Sequence, residues 1–505
     1  MTSNMVAGDD DDDDRTPGSS TLLSTHTSDR DRNRDRDTRS TDEKAADRSV
    51  TEQFSRFHRA VIMLSVCLAL GCAPMNITTI RPFFFTDALA KNPTGGVEYH
   101  TAVGGVFSVS AVAGLISSPW VIYDLPNIGS KQLMVLGLAL QGSTAVLFSA
   151  LDRIADWRVF LAYSYILQFI QGSAFIAITI PGMTYLTRMY PESLGFVSSS
   201  TLSSLATGHS VGNVLSGGLY DIGGFMLPFI VIGSISVLMS LCVGLVVVDI
   251  EKLTAQHTGV MEKHIGMFSI LRLPWIWFLI GLTVATNIAG SACEATLSVH
   301  VKAEFDVGSV VPGSALALLI VLNAPLAPLV GYLLDRSVSG YVLILFGLAL
   351  ISLGCFLVGP SALTHLSQSL ALVFVSMLPL SIGHVLMSVS CPFVISHYLR
   401  DIGVGTVPET RVAVVGLVRV LFCSGFIIGP LVTSPLVAAL DFQAAFTILA
   451  FVYVGLVGIL VVLKWGGHIV LTVRAFFKKR SMDAQTPDTD SSETNRETEL
   501  LPLSR

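Results

Sequence analysis

Residues 273–300 read LPWIWFLIGLTVATNIAGSACEATLSVH, 28 residues with one formal charge, Glu294. About 20 mostly apolar residues suffice for a helix to cross the hydrocarbon core of a bilayer. The stretch therefore reads as a transmembrane helix. A carboxylate in the middle of hydrocarbon costs roughly 2.5–3.5 kcal/mol on insertion scales, so an acid kept there is by default a functional residue. Its natural user is a cation or a proton.

The rest of the chain repeats this texture. Of 505 residues, 51% are hydrophobic and only 13% charged, too little polar surface for a soluble protein of this length. Apolar runs recur near 59–84, 100–122, 132–151, 158–185, 194–218, 224–248, 273–300, 309–333, 340–360, 367–397, 411–438 and 442–464. They predict an all-α membrane protein with twelve transmembrane helices. The segments are a charged, disordered N-terminal tail (1–57), six spans (58–248), a hydrophilic loop (249–272), six more spans (273–464), and a polar C-terminal tail (465–505) with an interfacial helix over 465–480. No cleavable signal peptide is read, so the first span serves as the anchor. Lys131, Arg188, Lys252, Lys263, Arg272, Arg336, Arg400 and Arg411 fall on the side of both tails, which places both termini in the cytosol.

Two patterns occur once in each half. A turn after an even span reads Ser118-Pro-Trp-Val-Ile-Tyr-Asp124-Leu-Pro-Asn-Ile-Gly129-Ser-Lys131, then Gly331-Tyr-Leu-Leu-Asp335-Arg336-Ser-Val-Ser-Gly340. A glycine-rich helix runs through Gly208, Gly212, Asn213, Gly217 and Gly218, then Gly425, Gly429 and Pro430. The offsets from Asp124 to Asp335 (335 − 124 = 211) and from Gly212 to Gly429 (429 − 212 = 217) agree closely. Two six-helix bundles related by a parallel repeat fit them.

With Pro126-x-Ile-Gly129-x-Lys131, Leu151-Asp152-Arg153, Gly217-Gly218-Leu-Tyr220, Gly223-Gly224-x-x-Leu-Pro228, Glu294-x-Thr-Leu297 and Gly429-Pro430 in place, the chain resembles the major facilitator superfamily. Within it, the chain is most similar to the vesicular amine transporter group and its polyamine branch. The resemblance runs from about Arg81 to about Phe451. It implies an alternating-access carrier with a central cavity lined by spans 1, 4, 7 and 10, exchanging luminal protons for cytosolic amines; a vesicular or endolysosomal membrane is the expected address, with the plasma membrane as the alternative. It places Glu294 at the acidic position of span 7. Asp124, Gly129 and Lys131 fall on the gating loop between spans 2 and 3, with Asp335 and Arg336 on its counterpart. Three positions depart from the family. The span 4 signature Arg-x-x-Gln-Gly reads Gln168-Phe-Ile-Gln171-Gly172. The Gly-Pro kink of span 5 reads Gly212-Asn213. Span 1 offers Asn76 where monoamine carriers have a carboxylate.

The candidate substrate- or proton-binding residues are therefore Glu294, His384, Gln168, Gln171, Asn76, Asn287 and Arg419. Glu294 pairs with an ammonium or carries a proton, or is locked in a structural ion pair, for which Arg419 in span 11 is the obvious partner. His384 titrates near vesicular pH or is a hydrogen-bonded interior residue. His209, beside the span 5 glycines, reads as packing. The polar amides line the cavity or bridge helices.

The seven cysteines show no paired spacing, which argues against disulfides or a zinc site. No phosphate loop, metal cluster or nucleophile motif is seen, so neither an enzyme nor a cofactor is expected, and nucleic acid is not a partner. Three functions stay open. One is a proton-coupled carrier of organic cations such as polyamines or monoamines. Another is a facilitator of amino acids or other small solutes without proton coupling. The third is a transporter-like membrane sensor or scaffold. Glu497-Thr-Glu-Leu500-Leu501 resembles an acidic dileucine sorting signal.

Overall fold

A computed structural model describes residues 55–190, 194–249, 274–336, 338–360, 366–401 and 408–483. The acidic tail, the loop between the halves and the dileucine motif lie outside the described residues. The described residues form helices alone as regular elements: α1 (Arg56–Thr78), α2 (Phe84–Lys91), α3 (Val97–Ile128), α4 (Ser130–Ser149), α5 (Trp157–Met189), α6 (Leu194–Gly223), α7 (Met226–Val246), α8 (Pro274–Phe305), α9 (Val310–Val321), α10 (Asn323–Asp335), α11 (Gly340–Val358), α12 (Leu370–Asp401), α13 (Pro408–Leu440) and α14 (Phe442–Asp483). Counting α9 and α10 as one broken span and setting aside the short α2, these are the twelve expected spans.

Eleven helices among the described residues are long and apolar enough to cross a membrane. The exception, α6, is rich in Ser and Gly, and its apolar content is diluted for a physical reason. It packs backbone to backbone against α1 and the start of α9. A Cβ at Gly208 would sit on the carbonyl of Gly71, and one at Gly212 would lie 2.9 Å from Met75 Cα. Small residues permit this approach. The equivalent helix of the second half, α13, does the same against α8: a Cβ at Gly425 would lie 2.6 Å from both Asn287 Cβ and the Val284 carbonyl. Span 5 on span 1 and span 11 on span 7 are thus the same contact made twice, as a parallel repeat requires.

Helix boundaries follow local chemistry. Ser55 caps α1 by accepting from His58 N (3.2 Å), and Asp156 caps α5 by accepting from Arg158 N (2.9 Å). Gly129 separates α3 from α4 at φ 93°, a left-handed conformation open to glycine at little cost. Outward faces are apolar where a bilayer would meet them: Leu238, Leu241 and Leu245 on α7 are all exposed. α14 continues unbroken to Asp483, so the segment expected to form an interfacial helix is a continuation of the last span; its side chains lie outside the described residues.

The two ends of the bundle are distinguished by their contacts. At the tail-side end, Tyr190 Oη donates to Arg59 O (3.2 Å), Gln132 Nε2 donates to Asp249 (3.0 Å), and the Lys464 ammonium sits over the Tyr341 ring. At the far end, α2 and the starts or ends of α3, α5, α6, α8 and α9 meet. The N-terminal half has its aromatic core there, built from Phe83, Phe84, Phe148, Phe160, Phe225 and Phe229.

Candidate functional site

The site is set by a break in the first span. Sequence reading carries span 1 to residue 84, but α1 stops at Thr78 and the chain turns through Thr79–Phe83 before α2 begins. Pro82 lacks an N–H and disfavours a helical conformation for Arg81 before it. Thr78 and Thr79 both donate their hydroxyls to Met75 O (3.0 and 2.9 Å), taking up a carbonyl at the helix end. The following Phe83 and Phe84 are fully buried: Phe83 stacks on Tyr220 (centroids 4.4 Å apart) and Phe84 on Phe160 (5.4 Å). Helix end and aromatic anchor together fix where Arg81 points.

Arg81 points at Glu294. Its Nη1 donates to Glu294 Oε1 at 2.7 Å, across 213 residues of sequence and between the two halves. The side chains are 7% and 6% exposed. The sequence raised an interior ion pair for Glu294, and the pair seen is made with Arg81; the side chain of Arg419, the partner expected, lies outside the described residues. The turn after α1 supplies the positive charge because it folds Arg81 back into the bundle instead of releasing it to a loop.

The pair forms one wall of a cavity that lies between the halves. Ile77, Ile80, Phe107, Phe175, Ile176 and Phe426 make the lining mostly apolar and aromatic, and Ser110, Ser291 and His209 add polar edges. His209, for which the sequence favoured a packing role, also borders the cavity. Glu294 is the acid and Arg81 the guanidinium on this wall among the described residues.

The other candidates fall elsewhere. Asn76 turns away from the cavity and donates to Ser236 Oγ (2.5 Å) and Cys72 O (3.0 Å), joining α1 to α7. Gln168 and Gln171 are buried within α5, outside the cavity lining, and neither polar atom of the Gln168 amide finds a hydrogen-bond partner. His384 and Asn287 do meet, in a second cluster inside the C-terminal half. His384 Nε2 lies 3.2 Å from Asn287 Oδ1, and its Nδ1 lies 3.4 Å from Asn323 Oδ1. Asn323 comes within reach because the helix breaks at Leu322 between α9 and α10. Asn213 is fully buried with its amide unpartnered.

Between mid-depth and the far end, the halves are tied together. Ser108 Oγ donates to Ile427 O (2.9 Å) and Ser210 Oγ to Ala317 O (3.2 Å). The Asp221 carboxylate, at the end of α6, accepts from Ser309 N (2.6 Å) and Val310 N (2.9 Å). It thereby caps the first turn of α9, a helix of the other half, where a negative charge is favoured. Beside it, Tyr220 Oη donates to Asp87 (2.6 Å) and the Lys302 ammonium lies 4.8 Å from the Tyr220 ring centre. Asp87 is largely withdrawn from water, which raises its carboxyl above the usual range against the opposing effect of the Tyr220 hydrogen bond. Of these closing residues, Tyr220 entered the sequence reading only as the end of the Gly217–Tyr220 motif, and Asp87, Ser108, Ser210 and Asp221 were not singled out. The signal available was the Tyr220-Asp221 pair at the end of the glycine run.

At the tail-side end, Asp335 and Arg336 are exposed, with the Arg336 guanidinium over the Tyr332 ring (4.7 Å), and Asp124 is half-buried. Among the described residues, neither Asp124 nor Asp335 makes an ion pair with the opposite half. The described contacts thus fasten the two halves together at the far end of the cavity.

A bundle of this topology with a central cavity between halves defines a membrane transporter, and comparison with known proteins gives its family. The profile of the Major Facilitator Superfamily matches residues 66–407, and the chain belongs to that family. Among curated relatives, the human MFS-type transporter SLC18B1 is 27% identical over 63% of this chain and 67% of its own length, and the mouse protein 25% identical over 65% and 69%. The human chromaffin granule amine transporter is 26% identical over 77% of this chain and 72% of its own. Among solved structures, the nucleoside transporter NupG superposes with a TM-score of 0.60 at 11% identity, covering 80% of this chain and all of NupG. A bacterial homologue of the human lysosomal transporter Spinster, inward-facing and unoccupied, gives 0.58 at 14% identity, covering 81% and 96%. The chain is a multi-pass membrane transporter, not an enzyme.

Proposed function

We propose that this transporter moves an amine-bearing organic solute by alternating access, with Glu294 as the counter-ion of the ammonium group and a proton gradient as the driving force. One observation carries the reading: Glu294 is buried on the wall of the cavity between the halves, 2.7 Å from the Arg81 guanidinium. An intramembrane acid facing a cavity is where a cation or a proton would be held. The similarity to the chromaffin granule amine transporter supports an amine as substrate and a vesicular membrane as the address. The Lys/Arg bias of the tail-side loops supports cytosolic termini, with the fastened far end opposite that cytosolic end. Asp124, Lys131, Asp335 and Arg336 then close the cytosolic end when the halves rock.

The test is uptake into proteoliposomes of spermidine, serotonin and arginine, each with and without an imposed pH gradient. Uptake is expected to require the gradient and to vanish in Glu294→Gln while protein level and insertion hold. Normal uptake by that variant would rule out the counter-ion role. Uptake indifferent to the gradient would favour a facilitator, a reading that the glutamine at position 168 supports.

A further inference from the structure

From the pairing of Arg81 with Glu294, we infer that the transported solute is a zwitterion of the α-amino-acid type, with ammonium and carboxylate on one carbon and an apolar body. The inference rests on the carrier reading above and narrows its substrate.

The argument concerns charge balance in the cavity. With Glu294 engaged at 2.7 Å by Arg81, the pair is neutral as it stands. A plain cation approaching Glu294 must displace the guanidinium. Arg81 then stays charged, because a guanidinium does not give up its proton, and it sits in a place where its side chain is 7% exposed. A buried charge stripped of its partner is the costliest arrangement open to the site. A zwitterion avoids that cost. Its ammonium takes the carboxylate of Glu294 while its own carboxylate takes the guanidinium, two charge-assisted pairs for one. Because the two protein groups lie in direct contact, the two charges of the solute must also be close together.

The remaining wall fits the rest of such a molecule. Phe107, Phe175, Phe426 and Ile176 offer an apolar, aromatic surface and no second acid among the described residues. A polyamine would place two or more ammonium groups against that surface. A phenylalanine-like solute would place a ring there.

Phenylalanine and phenethylamine differ by the carboxylate alone, and with spermidine they make the test, using the full chain in proteoliposomes. Phenylalanine uptake is expected to exceed phenethylamine uptake by about tenfold or more, the usual scale for losing one charged hydrogen-bond partner. Phenethylamine or spermidine carried as well as phenylalanine would overturn the inference and leave the amine carrier intact. Flux of none of the three, nor of serotonin, would overturn the carrier reading as well. Arg81→Gln is expected to reverse the preference, lowering phenylalanine uptake about tenfold and raising that of phenethylamine, which then meets a free carboxylate. Arg81→Lys keeps the charge without the fork and is expected to keep the preference at weaker apparent affinity. A shift toward phenethylamine in Arg81→Lys would overturn the inference even if Arg81→Gln failed to fold.

Discussion

Removing Arg81 and Glu294 singly and together separates a buried ion pair from a surface one. The nitrogen and oxygen are 2.7 Å apart and both side chains are more than nine-tenths buried. With charge centres about 4 Å apart and an effective dielectric of about 20, the attraction is about 4 kcal/mol, against a desolvation penalty of several kcal/mol per ion. Arg81→Met alone leaves an uncompensated carboxylate, and Glu294→Met alone an uncompensated guanidinium. Each is expected to cost about 3–5 kcal/mol. The double variant fills the same space with apolar atoms and is expected to be at least as stable as either single one, so the cycle shows a coupling of about 3 kcal/mol or more. Reversible unfolding of purified protein in mixed micelles measures it. Single variants within about 1 kcal/mol of the parent, or a double variant costing the sum of the two, would refute the reasoning. The pair would then behave as a solvent-screened surface pair and could not discriminate among solutes by charge.

Asp221→Asn removes the charge from the cap of α9 and is expected to weaken closure of the far end by about 1–2 kcal/mol. Labelling of a cysteine placed at position 309 should rise in that variant, and unchanged labelling would count against the cap as a closing element. Tyr220→Phe deletes the hydroxyl that donates to Asp87 and leaves a largely buried carboxylate short of a partner. It is expected to cost about 1–3 kcal/mol above pH 7, with the penalty shrinking as pH falls and Asp87 takes up a proton, as unfolding across a pH series would show. Gly425→Val places branched carbons where even a Cβ comes within 2.6 Å of Asn287 and Val284. Monodisperse yield is expected to collapse, whereas Gly281→Val, at a position with open space around it, should be tolerated.

The spans were legible because hydrocarbon demands an unbroken apolar run, and even α6, diluted with Ser and Gly, kept enough of one over 194–218 to be counted. The repeat was legible because glycines needed for close approach recur at one offset. The charge partner of Glu294 was not. Arg81 lies three residues inside the expected end of span 1, and only the turn at Thr79–Phe83 makes it an interior residue. The Pro82 beside it was a visible sign of that turn. Its partner stands 213 residues away, and one sequence holds no record of which distant residues touch. The same limit applies to Asp221 and the backbone of Ser309. Asn76 was named as a binding candidate because span 1 offers it where monoamine carriers have a carboxylate, while the direction it faces is fixed by the packing of α1 against α7.

The stretch from Arg81 to Asp87 joins the cavity to the far-end closure through very little chain. Arg81 holds Glu294; two residues on, Phe83 stacks on Tyr220; Tyr220 bonds Asp87, and its neighbour Asp221 caps α9. Arg81 and Asp221 belong to one half, and Glu294 and α9 to the other. The ion pair and the helix cap are therefore two fastenings of the same seam, connected through a rigid aromatic stack. Opening the far end must part both. A solute that takes over the charges of Arg81 and Glu294 releases one fastening at little electrostatic cost, whereas an empty cavity must strip a buried pair to do so. That difference in cost is what a carrier needs if it is to open the far end loaded more readily than empty.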